Sequence, residues 1–399
     1  MMINSKITIV IPTYNPTRIL LEVIEHLRRK MKTLPIIIVN DGSTQGLDIL
    51  HEIENQYRDI IVVNLYENIG KAKAVRQVLE NINSEYILLI DDDTIIDADE
   101  EKVYNLISEN PETDLFLFKV RAYKPVKFIE KIQDMEYTIS TYSIKKILGL
   151  PLGSIGPGAL WRKDTLKRVL DLHDGTFAGD DLQMYLHATV SLGKQESIKY
   201  VPEVTLYTEP KHGFKDYLNQ RVKVWIPGLM HNIRLFLPRL VTGKYTEGEL
   251  IDTYRWIFAV KLYSVIIKFL AILMVYYTIS NNYILISNII KITSFILLIY
   301  LIYITIDNII YLYKLLLIIG NGILITIIAL ELQSGVFIII ILIYIFLLFA
   351  YLLYYDNYNK KYLNINKIYN VICFVLFYFM YNLVVETAGI LYYTTGRYK

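Results

Sequence analysis

Cysteine is nearly absent from this chain: Cys373 is the one cysteine in 399 residues, so no intrachain disulfide can form. That fits a domain facing a reducing compartment. Charge is also scarce, at 20% of residues, where a soluble domain carries roughly a quarter. The charge present is balanced, with 41 basic side chains against 39 acidic ones and a net +2. Such a chain offers no strong field to a nucleic acid, which is not expected as a partner. No basic stretch followed by an apolar one opens the sequence; residues 1–6 lead straight into an apolar run at 7–11. Lacking that leader pattern, the N-terminal domain is expected to stay in the cytoplasm.

Apolar residues are abundant instead, at 54%, with a mean hydropathy of +0.35. They are unevenly spread. Residues 1–250 read as a globular mixture, whereas from about Trp256 onward Ile, Leu, Tyr and Phe dominate. Runs at 256–279, 284–306, 309–330, 336–355 and 368–392 match the ~20 residues that a ~30 Å hydrocarbon core requires. The intervening loop 356–367 carries Lys360, Lys361 and Lys367, which places it in the cytoplasm by the positive-inside rule. Four crossings from a cytoplasmic domain lead to the same side. The expectation is a multi-pass protein of the cell membrane with four to five spans.

Within the first half, apolar strand-like runs alternate with helical spacing. Runs at 7–11, 35–39, 60–65 and 86–90 are β-branched or apolar, and segments 17–31, 47–57 and 70–82 carry apolar residues at helical intervals. This alternation predicts βα units, a mostly parallel sheet, and ligands at the C-terminal strand ends. Further strands are expected at 115–120 and 200–208, and helices at 128–148, 182–192 and 217–237. The last of these carries Arg221, Lys223, Arg234 and Trp225 beside Val222, Ile226 and Leu229, a pattern suited to the bilayer interface. Gly156, Pro157 and Gly158 before Trp161 and Arg162 read as a close-approach site or a turn.

The chemistry is concentrated in aspartates. Asp91, Asp92 and Asp93 follow the run 86–90; carboxylates there can hold Mg²⁺ or Mn²⁺, which prefer oxygen ligands and bridge to diphosphate. Asp41, in Asn40–Asp41–Gly42–Ser43, reads either as an acceptor for a nucleoside or as a turn residue. Lys71 after Gly70 opens a helix and can approach a phosphate, or it is a surface lysine. Asp180 and Asp181 after Gly179 read as a helix N-cap pair or as a general base for a hydroxyl.

Taken in order, Ile9–Val10–Ile11–Pro12–Thr13–Tyr14–Asn15, Val39–Asn40–Asp41–Gly42–Ser43–Thr44, Asn68–Ile69–Gly70–Lys71, Leu89–Ile90–Asp91–Asp92–Asp93–Thr94, Gly179–Asp180–Asp181, Thr208–Glu209–Pro210 and Gln220–Arg221 resemble the motifs of family 2 inverting glycosyltransferases. The resemblance is to the membrane synthases of hyaluronan, chitin, cellulose and poly-N-acetylglucosamine. It implies a GT-A fold, Rossmann-like and mostly parallel, followed by interfacial amphipathic helices and an α-helical transmembrane domain, with boundaries at 1–212, 213–255 and 256–399.

It also implies roles. Thr13, Tyr14, Asp41, Lys71, Asp91 and Asp92 bind a UDP- or GDP-sugar donor. Asp93 and Asp91 hold a divalent Mg or Mn ion. Asp181, next to Asp180, is the base. Gln220, Arg221, Lys223 and Trp225 face the diphosphate and a glycan or lipid-linked acceptor. Two departures stand out. Asn40 replaces the first Asp of Asp–Asp–Gly–Ser. The family's Gln, two residues, Arg, Trp is also out of step, with Lys223 at the Arg place, Val224 at the Trp place and Trp225 one position late.

Overall fold

The computed structural model describes residues 5–138, 156–192, 197–242, 385, 388–389 and 391–395. The chain opens with β1 (Ile7–Thr13), α1 (Ile19–Lys30), β2 (Ile36–Asn40), α2 (Leu47–Gln56), β3 (Ile60–Asn64), α3 (Lys71–Leu79) and β4 (Tyr86–Ile90). β1 is buried at every position, as a β-branched run sandwiched between helices must be. α1 buries Leu20, Val23, Ile24 and Leu27, the i, i+3, i+4, i+7 stripe of a helix lying on a sheet.

After β4 come β5 (Thr94–Ile96), α4 (Glu100–Glu109), β6 (Leu115–Ala122), α5 (Phe128–Thr138), β7 (Gly158–Arg162), α6 (Lys163–Leu172), α7 (Asp180–Leu186), β8 (Ile198–Thr208), α8 (Phe214–Gln220) and α9 (Ile226–Thr242). A π-helical turn, His187–Ser191, continues α7, and a second, Arg221–Trp225, joins α8 to α9. The described strands form one sheet in the order β3-β2-β1-β4-β7-β6-β8-β5.

One side of this sheet is the expected parallel βα array: β1 pairs in parallel with β2 and β4, and β2 with β3. The other side is mixed. β7 runs antiparallel to both β4 and β6, and β5 runs antiparallel to β8. The alternation of strands and helices sets the parallel half, because a βα crossover returns each strand in the same direction. It carries no information about a strand that reaches the sheet from residue 158 and inserts beside β4. β5 was also invisible, since three residues hold no readable period.

The Gly156–Gly158 stretch is a close approach, made to the protein's own backbone. Gly158 starts β7 opposite Ile90. A β-carbon on it would lie 2.8 Å from the Leu89 carbonyl oxygen and 2.8 Å from Ile90 Cγ2. The carbonyl of Pro157 accepts the Asp91 N–H at 2.9 Å, so this junction also sets where the aspartate loop leaves β4. Gly158→Ala is therefore expected to destabilise the fold by about 1–3 kcal/mol, the usual range for overpacking. The check is a fall in Tm; an unchanged Tm would mean that the two strands separate without strain.

The core is continuous under this sheet, with Ile9, Ile11, Ile24, Ile38, Leu88, Ile90, Phe116 and Leu160 all buried. Among the described residues no helix is long and apolar enough to cross a membrane. The expected spans at 256–279, 284–306, 309–330 and 336–355 and nearly all of 368–392 lie outside the described residues. So does the C-terminal part of the helix expected at 128–148, which is described as far as Thr138.

Candidate active site

The strand ends place the first two motifs side by side. Thr13 and Asn40 are register partners at the ends of β1 and β2. The Asn15 side-chain oxygen accepts the N–H groups of Thr44 and Gln45 at 2.9 and 3.0 Å, locking the two loops together. Asn40 explains its own departure from the motif. Its amide nitrogen donates to Asn64 Oδ1 at 2.8 Å while its oxygen accepts the Ser43 N–H at 3.0 Å. A carboxylate supplies only acceptors, so an aspartate here would meet Asn64 only with that amide turned over.

Asp41 is 4% exposed. Its two oxygens accept the N–H groups of Ile69 and Gly70 at 2.8 and 2.9 Å. It acts here as the turn residue, fixing the loop that delivers Lys71. Tyr14 is 49% exposed at the rim.

Lys71 is not a surface lysine. Its ammonium lies 2.5 Å from Asp91 Oδ1, with the side chain 22% exposed. Burial by itself would push this amine down, but the charges of Asp91, Asp180 and Asp181 outweigh that and hold it above the usual lysine value. Asp91, after β4, and the aspartates at the start of α7 therefore converge on one cation, although Asp91 and Asp180 are 89 positions apart in sequence (180 minus 91).

Asp92 accepts the Thr13 hydroxyl; burial and then the charge of Asp93 push its carboxyl up to about 6. Asp93 accepts the hydroxyls of Thr94 and Thr208 at 3.1 and 3.2 Å, and its carbonyl takes the Glu209 N–H at 3.1 Å. The acidic loop is thus closed by the end of β8. Burial raises the proton affinity of Asp91 and of Asp93, and the charge of Asp93 raises that of Asp91 further.

Among the described residues no three acidic, histidine or cysteine side chains are grouped to hold a metal by themselves. Asp91 and Asp93 nevertheless fit one. They are hard oxygen donors whose mutual charge is incompletely offset, and an ion of the Mg²⁺ class takes a couple of carboxylates and fills its remaining positions with phosphate oxygens and water.

The fourth cluster lies around the π turn. Arg221 is 2% exposed, so it does not belong to the solvent-facing basic stripe expected of the 217–237 helix. Its guanidinium pairs with Glu136 at 2.6 Å and stacks over Trp225 at 3.7 Å and Tyr217 at 4.1 Å. Tyr137 lies beside Trp225, with ring centroids 6.3 Å apart. Burial raises the Tyr137 phenol; the charge of Arg221 opposes this, and those of Glu136 and Asp93 add to it. Gln220 accepts from Arg221, while Lys223 is exposed.

The late Trp225 now has a structural account. A π turn takes one residue more than an α turn, and it occurs at Arg221–Trp225. The helix absorbs the additional residue, and it is Arg221, not Lys223, whose cation faces Trp225. Sequence reasoning missed Glu136, Tyr137 and Lys211, whose charge acts on Asp93. None carries a local signal, since each arrives by tertiary packing.

Residues 8–170 match the family described as glycosyl transferase family 2. Among curated proteins, the poly-beta-1,6-N-acetyl-D-glucosamine synthase of Staphylococcus aureus (strain COL) is 30% identical over 145 residues, covering 35% of this chain and 34% of that protein. The synthase of the same name from Staphylococcus epidermidis is 28% identical over 243 residues, covering 57% and 56%. The chain thus spans about a third to just over half the length of these relatives. Among solved structures, S. aureus TarS 1–349 in complex with UDP-GlcNAc aligns at TM-score 0.42 and 17% identity, over 62% of this chain and 70% of that one. A mannosyltransferase from Pyrobaculum calidifontis in complex with GDP-Man and Mn²⁺ aligns at 0.41 and 18%, over 57% and 64%.

Proposed function

We propose that the whole chain, whose residues 8–170 match glycosyl transferase family 2, is a membrane-integrated inverting glycosyltransferase. It takes a sugar from a nucleotide-diphospho-sugar and adds it to a glycan. The observation that carries this reading is the convergence on Lys71: a cation tied to Asp91 at 2.5 Å and acted on by Asp180 and Asp181. Such a centre brings a diphosphate-binding group and a base within one substrate's length. The identity to poly-beta-1,6-N-acetyl-D-glucosamine synthases supports a polysaccharide product.

In the reaction, Asp181 accepts the proton of an acceptor hydroxyl. The hydroxyl oxygen forms a bond to the anomeric carbon from the face opposite the leaving group. The bond from that carbon to the diphosphate oxygen breaks, its electron pair leaves with the nucleoside diphosphate, and the anomeric centre inverts. Lys71 faces the charge that builds on the leaving oxygens. Asp91 and Asp93 would hold a divalent Mg or Mn ion, which when bound supplies Lewis-acid stabilisation to the diphosphate. Thr13 keeps Asp92 turned into the loop. Thr13, Tyr14, Asp41 and Asp92 line the donor side, and Gln220, Arg221, Lys223 and Trp225 the acceptor side.

The assigned layout is a GT-A domain at 1–212, interfacial helices at 213–255 and a transmembrane domain at 256–399, with the catalytic domain in the cytoplasm. The runs of ~20 apolar residues support it.

The test is donor turnover by the full chain in lipid nanodiscs with Mn²⁺ or Mg²⁺, supplied with UDP-GlcNAc, GDP-mannose and other UDP- and GDP-sugars. The expected result is donor consumption with a ladder or high-mass smear on a gel. A single organic-soluble product would replace the glycan acceptor by a polyprenyl phosphate. Absence of turnover and of binding for every donor would remove the enzymatic reading.

A further inference from the structure

We infer that Asn232 and Gly228 of α9 are positioning residues that seat the Asp180–Asp181 turn, a role that rests on the base assignment proposed above. α7 begins immediately after Gly179, which has a left-handed φ of 71°. The Gly179 carbonyl accepts the Gln183 N–H at 2.9 Å and the side-chain amide of Asn232 at 3.1 Å. That same amide nitrogen donates to the Gly228 carbonyl at 2.9 Å. Asn232 is 0% exposed, so water does not compete for either bond. One of its hydrogens holds its own helix and the other holds the acid turn.

Gly228 makes the approach possible. A β-carbon there would lie 2.5 Å from the Gly179 nitrogen and 2.7 Å from the Ala178 carbonyl carbon. One residue before Asn232, His231 Nε2 lies 2.6 Å from Asp174 Oδ2 and 3.3 Å from Thr176 Oγ1. α9 therefore grips both ends of the loop that precedes the base.

The π turn sets the phase of this grip. One residue more or less rotates every following side chain by about 100°. Trp225, Gly228 and Asn232 lie at i, i+3 and i+7, on one face. With the additional residue absorbed at Arg221–Trp225, that face meets Arg221 at one end and Gly179 at the other. The acceptor-side aromatic and the base are thus held by one rigid element. A displacement of about 1 Å at the base costs about 10²-fold in rate.

The experiment compares Asn232→Ala and Gly228→Ala with Phe236→Leu in the full chain. Phe236 is buried on the same helix one turn beyond Asn232 and packs edge-on against His187 at 4.9 Å, so its variant serves as the control for lost packing of α9. Two readouts are taken: backbone hydrogen exchange over residues 179–183, and kcat and KM for UDP-GlcNAc or whichever donor turns over.

The expected result is faster exchange at 179–183 and a ~10²-fold lower kcat with donor KM unchanged, in the Asn232 and Gly228 variants only. Exchange that stays at the wild-type level in both would overturn the dock, whatever the turnover. Exchange that accelerates in them while kcat holds would instead overturn the base assignment, and with it the positioning role. A kcat that falls equally in Phe236→Leu would reduce Asn232 to a packing residue.

Discussion

Asp181→Asn is expected to lower glycosyl transfer by roughly 10²- to 10⁴-fold, the range for loss of a positioned general base, while donor binding stays largely intact. The substitution keeps shape and removes only the proton-accepting charge. Asp181 Oδ1 accepts its own helix's Leu182 N–H at 2.9 Å, a bond that an asparagine oxygen preserves. Its charge does act on Lys71, so donor affinity is expected to shift modestly at most, since Asp91 and Asp180 remain there. The measurement is kcat against KM, together with equilibrium donor binding. Full activity in this variant would transfer the base role to Asp180 or to a group outside the acid turn.

Asp93→Ala is expected to abolish the dependence of donor binding on a divalent ion and to lower transfer by about 10³-fold, corresponding to about 4 kcal/mol of lost transition-state stabilisation. Two carboxylates whose proton affinities are raised by burial, one of them further by its neighbour's charge, are poorly compensated without a cation. Lys71 answers Asp91 at 2.5 Å. Among the described residues, Asp93 is met by the hydroxyls of Thr94 and Thr208 and by the charge of Lys211. Asp93 is therefore the carboxylate with more to gain from a metal. Binding is compared with and without EDTA. If the variant binds donor as tightly as wild type and responds to EDTA in the same way, Asp93 is not a metal ligand.

The parallel half of the sheet was legible because burial on both faces imposes β-branched runs, as in Ile7–Thr13 and Ile36–Asn40. The aspartate stations were legible because such runs end where a parallel sheet opens to ligands. The antiparallel β7 was read as a close approach or a turn, since nothing in five residues says which partner they will have. Arg221 was expected on a basic surface face and is instead 2% exposed, because Glu136, 85 residues earlier, neutralises it. For Lys71 the local sequence left open a phosphate contact or a surface lysine, and the pairing with Asp91 at 2.5 Å excludes the second.

The sequence by itself determined the alternating architecture, the order of the motifs, the family that their order resembles, and the predominance of apolar residues after Trp256. These are properties of local composition and spacing, which survive without knowledge of any contact. Only the tertiary structure decided that Asp91, Asp180 and Asp181 act on one lysine, and that Asp41 fixes a loop through both its oxygens. It likewise decided that the late Trp225 is brought into phase by a π turn, and that Asn232 holds Gly179. The physical reason is common to all four: each depends on charge, packing or helical phase between segments far apart in the chain, and free energy of that kind has no local signature.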